Sequence, residues 1–161
     1  MQPLVEQIVP ARATLDRNPR ELLARMPAAA LRLGLVLVHY RSMIEWGSAT
    51  ERDALATWER FAGFVTRASG FLSDDGGPVA THPVPEAFAA AMDDDLNIAE
   101  ALVVVHETLR VGNTALAEGD ARTVREALLD FRAMLDVLGL DPAAWTEADT
   151  RHTDALDRLV Q

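Results

Sequence analysis

The chain is 161 residues long, carries a formal net charge of −10 and is 49% hydrophobic, which fits one domain with a sizeable core and excludes a disordered chain. Cysteine is absent, which excludes disulfides, thiolate metal sites and a cysteine nucleophile. Acidic balance argues against a general polyanion binder, because phosphate contact needs clustered Arg or Lys, but the charge is uneven: six Arg face three acids in residues 1–41, and nine Arg face 22 acids in residues 42–161. Any polyanion contact therefore belongs toward the N-terminal part. The longest apolar run, residues 28–38, is broken by Arg32 and falls short of the about 18 residues a membrane span needs. Met1-Gln2-Pro3-Leu4-Val5-Glu6 lacks the basic-then-apolar pattern of a signal peptide. The expectation is a soluble, cytoplasmic protein with no membrane partner.

Ala, Leu, Arg and Glu dominate, and no stretch shows sustained strand alternation, so the elements read as helices. Residues 1–19, punctuated by Pro3, Pro10 and Pro19, are expected to form an arm or short helix, followed by a helical bundle over residues 20–161. Asn18 and Pro19 are placed to cap and open a helix through Leu22 and Leu23. Pro27 starts the next one, through Leu31, Leu33, Leu35, Val36, Leu37 and Val38; apolar on nearly every side, it should sit centrally. It ends in His39-Tyr40-Arg41-Ser42.

Ser48-Ala49-Thr50-Glu51 reads as a capping box. It opens a helix with the stripe Trp58, Phe61, Val65, Ala68 and Leu72, which stops at Ser73-Asp74-Asp75-Gly76-Gly77-Pro78. A short helix covers residues 85–92. Asp93-Asp94-Asp95 stands directly before the next helix, where three acids would satisfy its free N–H groups and complement its dipole; the alternative is a hard-cation site. That helix shows Ile98, Leu102, Val105 and Leu109 on one face. Gly119-Asp120 makes a tight turn with Asp120 as cap, and Val124, Leu128, Phe131, Leu135 and Leu138 form a clean stripe ending at Gly139. Thr146 is expected to cap a last helix running to Gln161. The fold class is all-α, an antiparallel bundle of about five to six helices.

Chemistry is sparse. His106-Glu107-Thr108-Leu109-Arg110 begins like a zinc-protease helix, but Arg110 stands where the second imidazole is needed. Asp75-Gly76-Gly77 lacks the glycine spacing of a phosphate loop, and the serines have no clear base. Tyr40, Arg41 and Trp46 form an aromatic and basic group in the net-positive part of the chain. Such a group can hold a phosphate and stack a base; alternatively the rings are core edges and Arg41 pairs with an acid.

Two stretches carry a resemblance. Leu31-Arg32-Leu33 through His39-Tyr40-Arg41-Ser42-Met43-Ile44-Glu45-Trp46 is one; Phe88-Ala89-Ala90-Ala91-Met92-Asp93-Asp94-Asp95-Leu96-Asn97-Ile98-Ala99-Glu100-Ala101-Leu102 is the other. Gly112-Asn113-Thr114, Gly119-Asp120 and Met134-Leu135-Asp136-Val137-Leu138-Gly139-Leu140-Asp141-Pro142 agree in order and spacing. Together they resemble the helical DALR domain that follows the catalytic domain of cysteinyl-tRNA synthetases, of the class Ia anticodon-binding type. The related mycothiol cysteine ligases share the His-Tyr-Arg region and fit less well after Met92.

The resemblance implies a non-catalytic module contacting the anticodon side of cysteine tRNA. Its contact residues would be Arg41, Arg32 and Arg25, with Tyr40 available for stacking. It implies no cofactor in this chain, because ATP and zinc belong to the family's catalytic domain. A separate catalytic or biosynthetic protein is the other implied partner. The alternatives are a protein-interaction bundle, or the C-terminal part of a split cysteine ligase. Departures are visible: Ala11-Arg12-Ala13-Thr14-Leu15-Asp16-Arg17-Asn18 stands where the family has its Lys-Met-Ser-Lys-Ser loop and Leu-Gly-Asn. Ala29-Ala30-Leu31-Arg32 replaces Asp-Ala-Leu-Arg.

Overall fold

The computed structural model describes residues 22–38, 46–74, 79 and 81–145. The expected arm, the Asn18 cap, the segment from His39 to Glu45 and the Thr146-capped last helix lie outside the described residues. Every described element is helical: α1 (Ala28–Val36), α2 (Ser48–Leu72), α3 (Glu86–Asp93), α4 (Ile98–Glu118) and α5 (Ala121–Val137). A further helical turn spans residues 142–145. The chain divides into two compact units, Met1–Trp58 and Glu59–Gln161, with the boundary inside α2.

In the first unit, a turn at residues 22–26 closes through Met26 N–H to the Leu22 carbonyl at 3.0 Å. Pro27 precedes α1, whose buried side is made of Ala29, Ala30, Gly34 and the fully buried Leu33. Leu22, Met26, Ala30, Trp46 and Ala54 form the core here, with Leu31, Leu55 and Trp58 packed against it. Gly34 is required by that packing, since a Cβ there would lie 2.7 Å from Trp46 Cη2 and 3.1 Å from Ala54 Cβ. Contrary to the sequence expectation, α1 is not enclosed: Leu35 is 45% and Leu37 40% exposed. Leu35 lies off the face that carries Ala29, Ala30 and Leu33, and Leu37, four residues after Leu33, stands at the C-cap beyond the last helical residue.

The opening of α2 also shifts. The Gly47 carbonyl accepts from Glu51 N–H at 3.0 Å, so Ser48 already lies in the first turn, one residue later than the expected cap position.

The second unit is built on three rings. Phe61 and Phe64 on α2 and Phe131 on α5 are fully buried. Phe131 meets both edge-on, with centroids 5.2 Å away in each case and interplanar angles of 89° and 82°. This is the favoured geometry for aromatic quadrupoles. α4 closes over them through Gly112, where a Cβ would strike the Phe64 ring and lie 3.2 Å from Ala127 Cβ. Val105 and Leu109 of α4 and Val124, Leu128, Met134 and Leu135 of α5 complete the core. α3 packs on α4 and α4 on α5.

Local chemistry sets the helix ends. Asn97 caps α4: its side-chain oxygen accepts from Glu100 N–H at 3.2 Å, and its amide donates to Glu100 Oε2 at 3.0 Å. This reciprocal pair corrects the reading of Asp93-Asp94-Asp95 as the acids that cap α4. Asp93 instead ends α3, and the chain then passes through Asp95 and Leu96 at φ 52° and 55° before reaching Asn97. The turn needs two left-handed residues, so the acids lie behind it and outside the first turn of α4. Gly119, at φ 74°, ends α4; Asp120 then caps α5 by accepting from the N–H groups of Arg122 and Thr123. Arg132 of α5 pairs in the interior with Asp141, beyond that helix, at 3.0 Å and at 6% and 3% side-chain exposure. Asp141 also accepts from Ala143 N–H, and the Trp145 indole donates to the Gly139 carbonyl.

The two glycines of opposite surroundings give opposite expectations. Gly112→Ala should destabilise the protein, because the Phe64 ring is fixed by Phe131 and has nowhere to move. Gly70→Ala, in α2 with nothing within 4 Å of the added carbon, should stabilise it by up to about 1 kcal/mol through helix propensity. Urea denaturation of the two variants measures both signs, and equal signs would contradict the packing.

Candidate nucleic-acid interface

Arg32 stands on α1 opposite the buried side, exposed to solvent. Arg25, in the turn before α1, is half-exposed and lies 3.7 Å from Glu51 Oε1. A pair of that length and exposure contributes little to stability. Both belong to the first unit. Arg41 and Tyr40 lie outside the described residues. Trp46 is not a stacking platform: it is 9% exposed and wedged against Gly34 and Ala54, as the core-edge alternative required. Sequence reasoning passed over Arg52, exposed on α2 in the same unit; its position off the apolar stripe was the available signal.

Arginines of the second unit are engaged differently. Arg110 makes two bonds to Glu107, at 2.9 and 2.6 Å, and these bonds hold the Glu107 carboxyl below its ordinary range. Arg122 bonds Glu126 at 3.0 Å, Arg125 bonds Asp74 at 2.7 Å, and Arg132 is buried on Asp141. Arg67 donates to Asn113 Oδ1 at 2.9 Å. A phosphate approaching most of these side chains would have to displace a carboxylate that is already well placed, amid a net negative field.

The chain has no cysteine, and among the described residues no group of three or more His, Asp or Glu side chains could hold a metal ion. The three aspartates before α4 therefore do not converge on a common point. His106 is exposed on α4, with its ring 5.5 Å from the Phe61 ring and tilted by 55°. Burial, and secondarily the Arg60 guanidinium, hold its imidazole below the ordinary value. His82, ahead of α3, meets Asp130 of α5 at 2.8 Å. Among the described residues, no helix is long and apolar enough to cross a membrane.

Residues 87–141 match the DALR domain family. The chain is 53% identical over 149 residues to the cysteine–tRNA ligase of Beutenbergia cavernae, an alignment covering 88% of this chain and 31% of the relative. The corresponding ligase of Streptomyces coelicolor is 44% identical over 148 residues, covering 87% of the chain and 24% of the relative. That of Paenarthrobacter aurescens is 41% identical over 148 residues, covering 89% and 30%. The chain thus spans 24–31% of the length of these curated relatives. No solved structure matches.

His106, on α4 of the second unit, gives stability a pH dependence. Its folded-state affinity for a proton is lower than in the unfolded chain, whose ordinary value is 6.5. Stability from this group is therefore complete above that value and declines as pH falls below it, until the folded form is protonated too. The melting temperature should drop as pH falls below the unfolded value of 6.5, and His106→Gln should flatten that part of the profile. An unchanged profile in the variant would mean the imidazole stays hydrated.

Proposed function

We propose that this chain, which carries a DALR domain and resembles the helical region of cysteinyl-tRNA synthetases, is a non-catalytic module that binds cysteine tRNA in the cytoplasm. The observation that carries this reading is the 53% identity with the Beutenbergia cavernae ligase over 149 residues, together with the DALR match over residues 87–141. The module contributes recognition, while cysteine activation, with its ATP and zinc, belongs to a catalytic part elsewhere. Arg32 and Arg25, together with Arg41 and Tyr40, form the contact surface, because the N-terminal part of the chain holds the excess of Arg. The carboxylate-paired arginines of the second unit stay out of it.

A second reading is supported by the acidity of residues 42–161, where 22 acids outnumber nine Arg. On that reading the bundle docks a synthetase or biosynthetic enzyme, or completes a split cysteine ligase, without holding RNA itself.

A binding titration against cysteine tRNA and a non-cognate tRNA, each at two salt concentrations, separates the readings. tRNA binding should weaken steeply with salt through counterion release. Arg32→Ala and Arg41→Ala should each lower affinity and flatten the slope of log K against log salt by about one unit. Arg122→Ala, already paired to Glu126, should change little. Salt-independent binding, or equal loss in all three variants, would favour the protein-docking reading. Melting curves of the variants separate lost contacts from lost folding.

A further inference from the structure

Phe71 departs from the other phenylalanines of the chain. Phe61, Phe64, Phe88 and Phe131 are at most 1% exposed, whereas Phe71, in the last turn of α2, is 44% exposed. It shares its face with two arginines. At 100° per residue, Arg60, Arg67 and Phe71 fall within about 40° of one another around the helix, and all three are exposed. The strip lies beside α4: Phe64, on the adjoining inward side of α2, packs against Gly112, and Arg67 reaches Asn113. All of it belongs to the second unit.

Arg67 is also set apart. Arg110, Arg122, Arg125 and Arg132 each bond a carboxylate, whereas Arg67 bonds the neutral amide oxygen of Asn113 at 2.9 Å. The Asn113 amide nitrogen donates to the Leu109 carbonyl at 2.9 Å, which fixes that oxygen for the arginine. Gly63 supplies the room. A Cβ there would lie 3.1 Å from Arg67 Nη1, so the guanidinium rests over bare backbone, one turn before its own Cα. Asn113 thus orders the guanidinium, engages one of its five N–H donors and cancels none of its charge. Arg60, two turns earlier, adds positive charge on the same side, and His106 of α4 feels it. Carboxylates close by in sequence are engaged elsewhere, Glu107 by Arg110 and Asp74 by Arg125.

An ordered arginine beside an open aromatic ring suits one class of ligand. Guanidinium holds phosphate oxygens through charge-assisted bonds, and a phenyl face takes a base that is free to leave its own stack. The two side chains arise about 6 Å apart along the helix, within the reach of one nucleotide from phosphate to base. We propose that the Arg67–Phe71 strip of α2 binds an unpaired RNA nucleotide, with its base stacked on Phe71 and its phosphate on Arg67, and with Arg60 placed for a phosphate further along the strand. This deepens the RNA reading above: it rests on RNA being the ligand and not on which RNA. An acidic peptide would satisfy the arginines and leave the ring unused.

The test titrates a labelled short single-stranded RNA, and separately cysteine tRNA, with the full chain and follows fluorescence anisotropy. The single strand should bind, and a fully paired RNA duplex should bind more weakly. Phe71→Leu keeps an apolar side chain but removes the stacking face; it should weaken single-strand binding about tenfold without changing its salt slope. Phe71→Trp should bind at least as well as the parent. Arg67→Gln should weaken binding and flatten the slope of log K against log salt by about 0.7 unit, the value for one phosphate of a single strand. Val103→Ala, an exposed change on α4, should match the parent. Four results would overturn the proposal. The first is equal single-strand affinity in the parent and Phe71→Leu, and the second is equal loss in Phe71→Trp and Phe71→Leu. The third is displacement of the RNA by polyglutamate as readily as by unlabelled single strand, which would make the strip a contact for acidic protein. The fourth is a fall of about ten degrees in the melting temperature of Phe71→Leu, which would show that the ring holds the fold. Single-strand binding that depends on Phe71, without binding of cysteine tRNA, would sink the tRNA reading and leave this one. Binding of cysteine tRNA that is weakened by Arg32→Ala, with both RNAs indifferent to Phe71→Leu and Arg67→Gln, would do the reverse.

Discussion

The second unit depends on a ring meeting a bare backbone. Phe64 lies where any side chain at position 112 would have to be, and Phe131 pins it there from α5. Removing one carbon from α4 lets three helices share a single aromatic centre, with Phe61, Phe64 and Phe131 all fully buried. Interiors are packed as densely as organic crystals, so such a contact admits little adjustment. The first unit repeats the device on a smaller scale, with Gly34 opening room for Trp46. In both places the helix spacing is set by an aromatic ring pressing on a glycine.

Around that centre, polar groups fix where helices start and stop. Asn97 with Glu100, Gly119 with Asp120, and Asp141 with Ala143 each satisfy backbone groups that a helix end leaves over. The buried Arg132–Asp141 pair ties the helical turn after α5 back to that helix. Such a pair contributes little net stability compared with an apolar replacement, but losing one partner strands the other's charge in the interior. Its value lies in making one arrangement of the chain end much better than its neighbours.

Charge is sorted along the chain in the same way. In the second unit Arg110, Arg122, Arg125 and Arg132 each bond a carboxylate, three of them between exposed or half-exposed partners on the surface. The excess of Arg in residues 1–41 is the part of the sequence without a matching number of acids. That asymmetry makes an RNA contact compatible with a protein of net charge −10.

Much of this was legible in the residues. The 3.6-residue period placed Phe61, Val65 and Ala68, and also Val124, Leu128, Phe131 and Leu135, on inward faces, and all are buried. Gly119-Asp120 announced its own turn, because few other residue pairs end one helix and cap the next so readily. Periodicity could not reveal Gly112, since a glycine on an inward face looks like a gap in the stripe until the opposing ring is known. Nor could it separate Arg132 from the surface arginines, because its partner lies nine residues away at Asp141. The three aspartates were assigned to the wrong helix because composition does not tell which of two adjacent ends a run of acids belongs to; the left-handed pair Asp95 and Leu96 decided that. The exposure of Leu35 and Leu37 was likewise invisible in sequence. An apolar pattern records what a helix is able to bury, whereas the partners it actually meets are chosen by the tertiary structure.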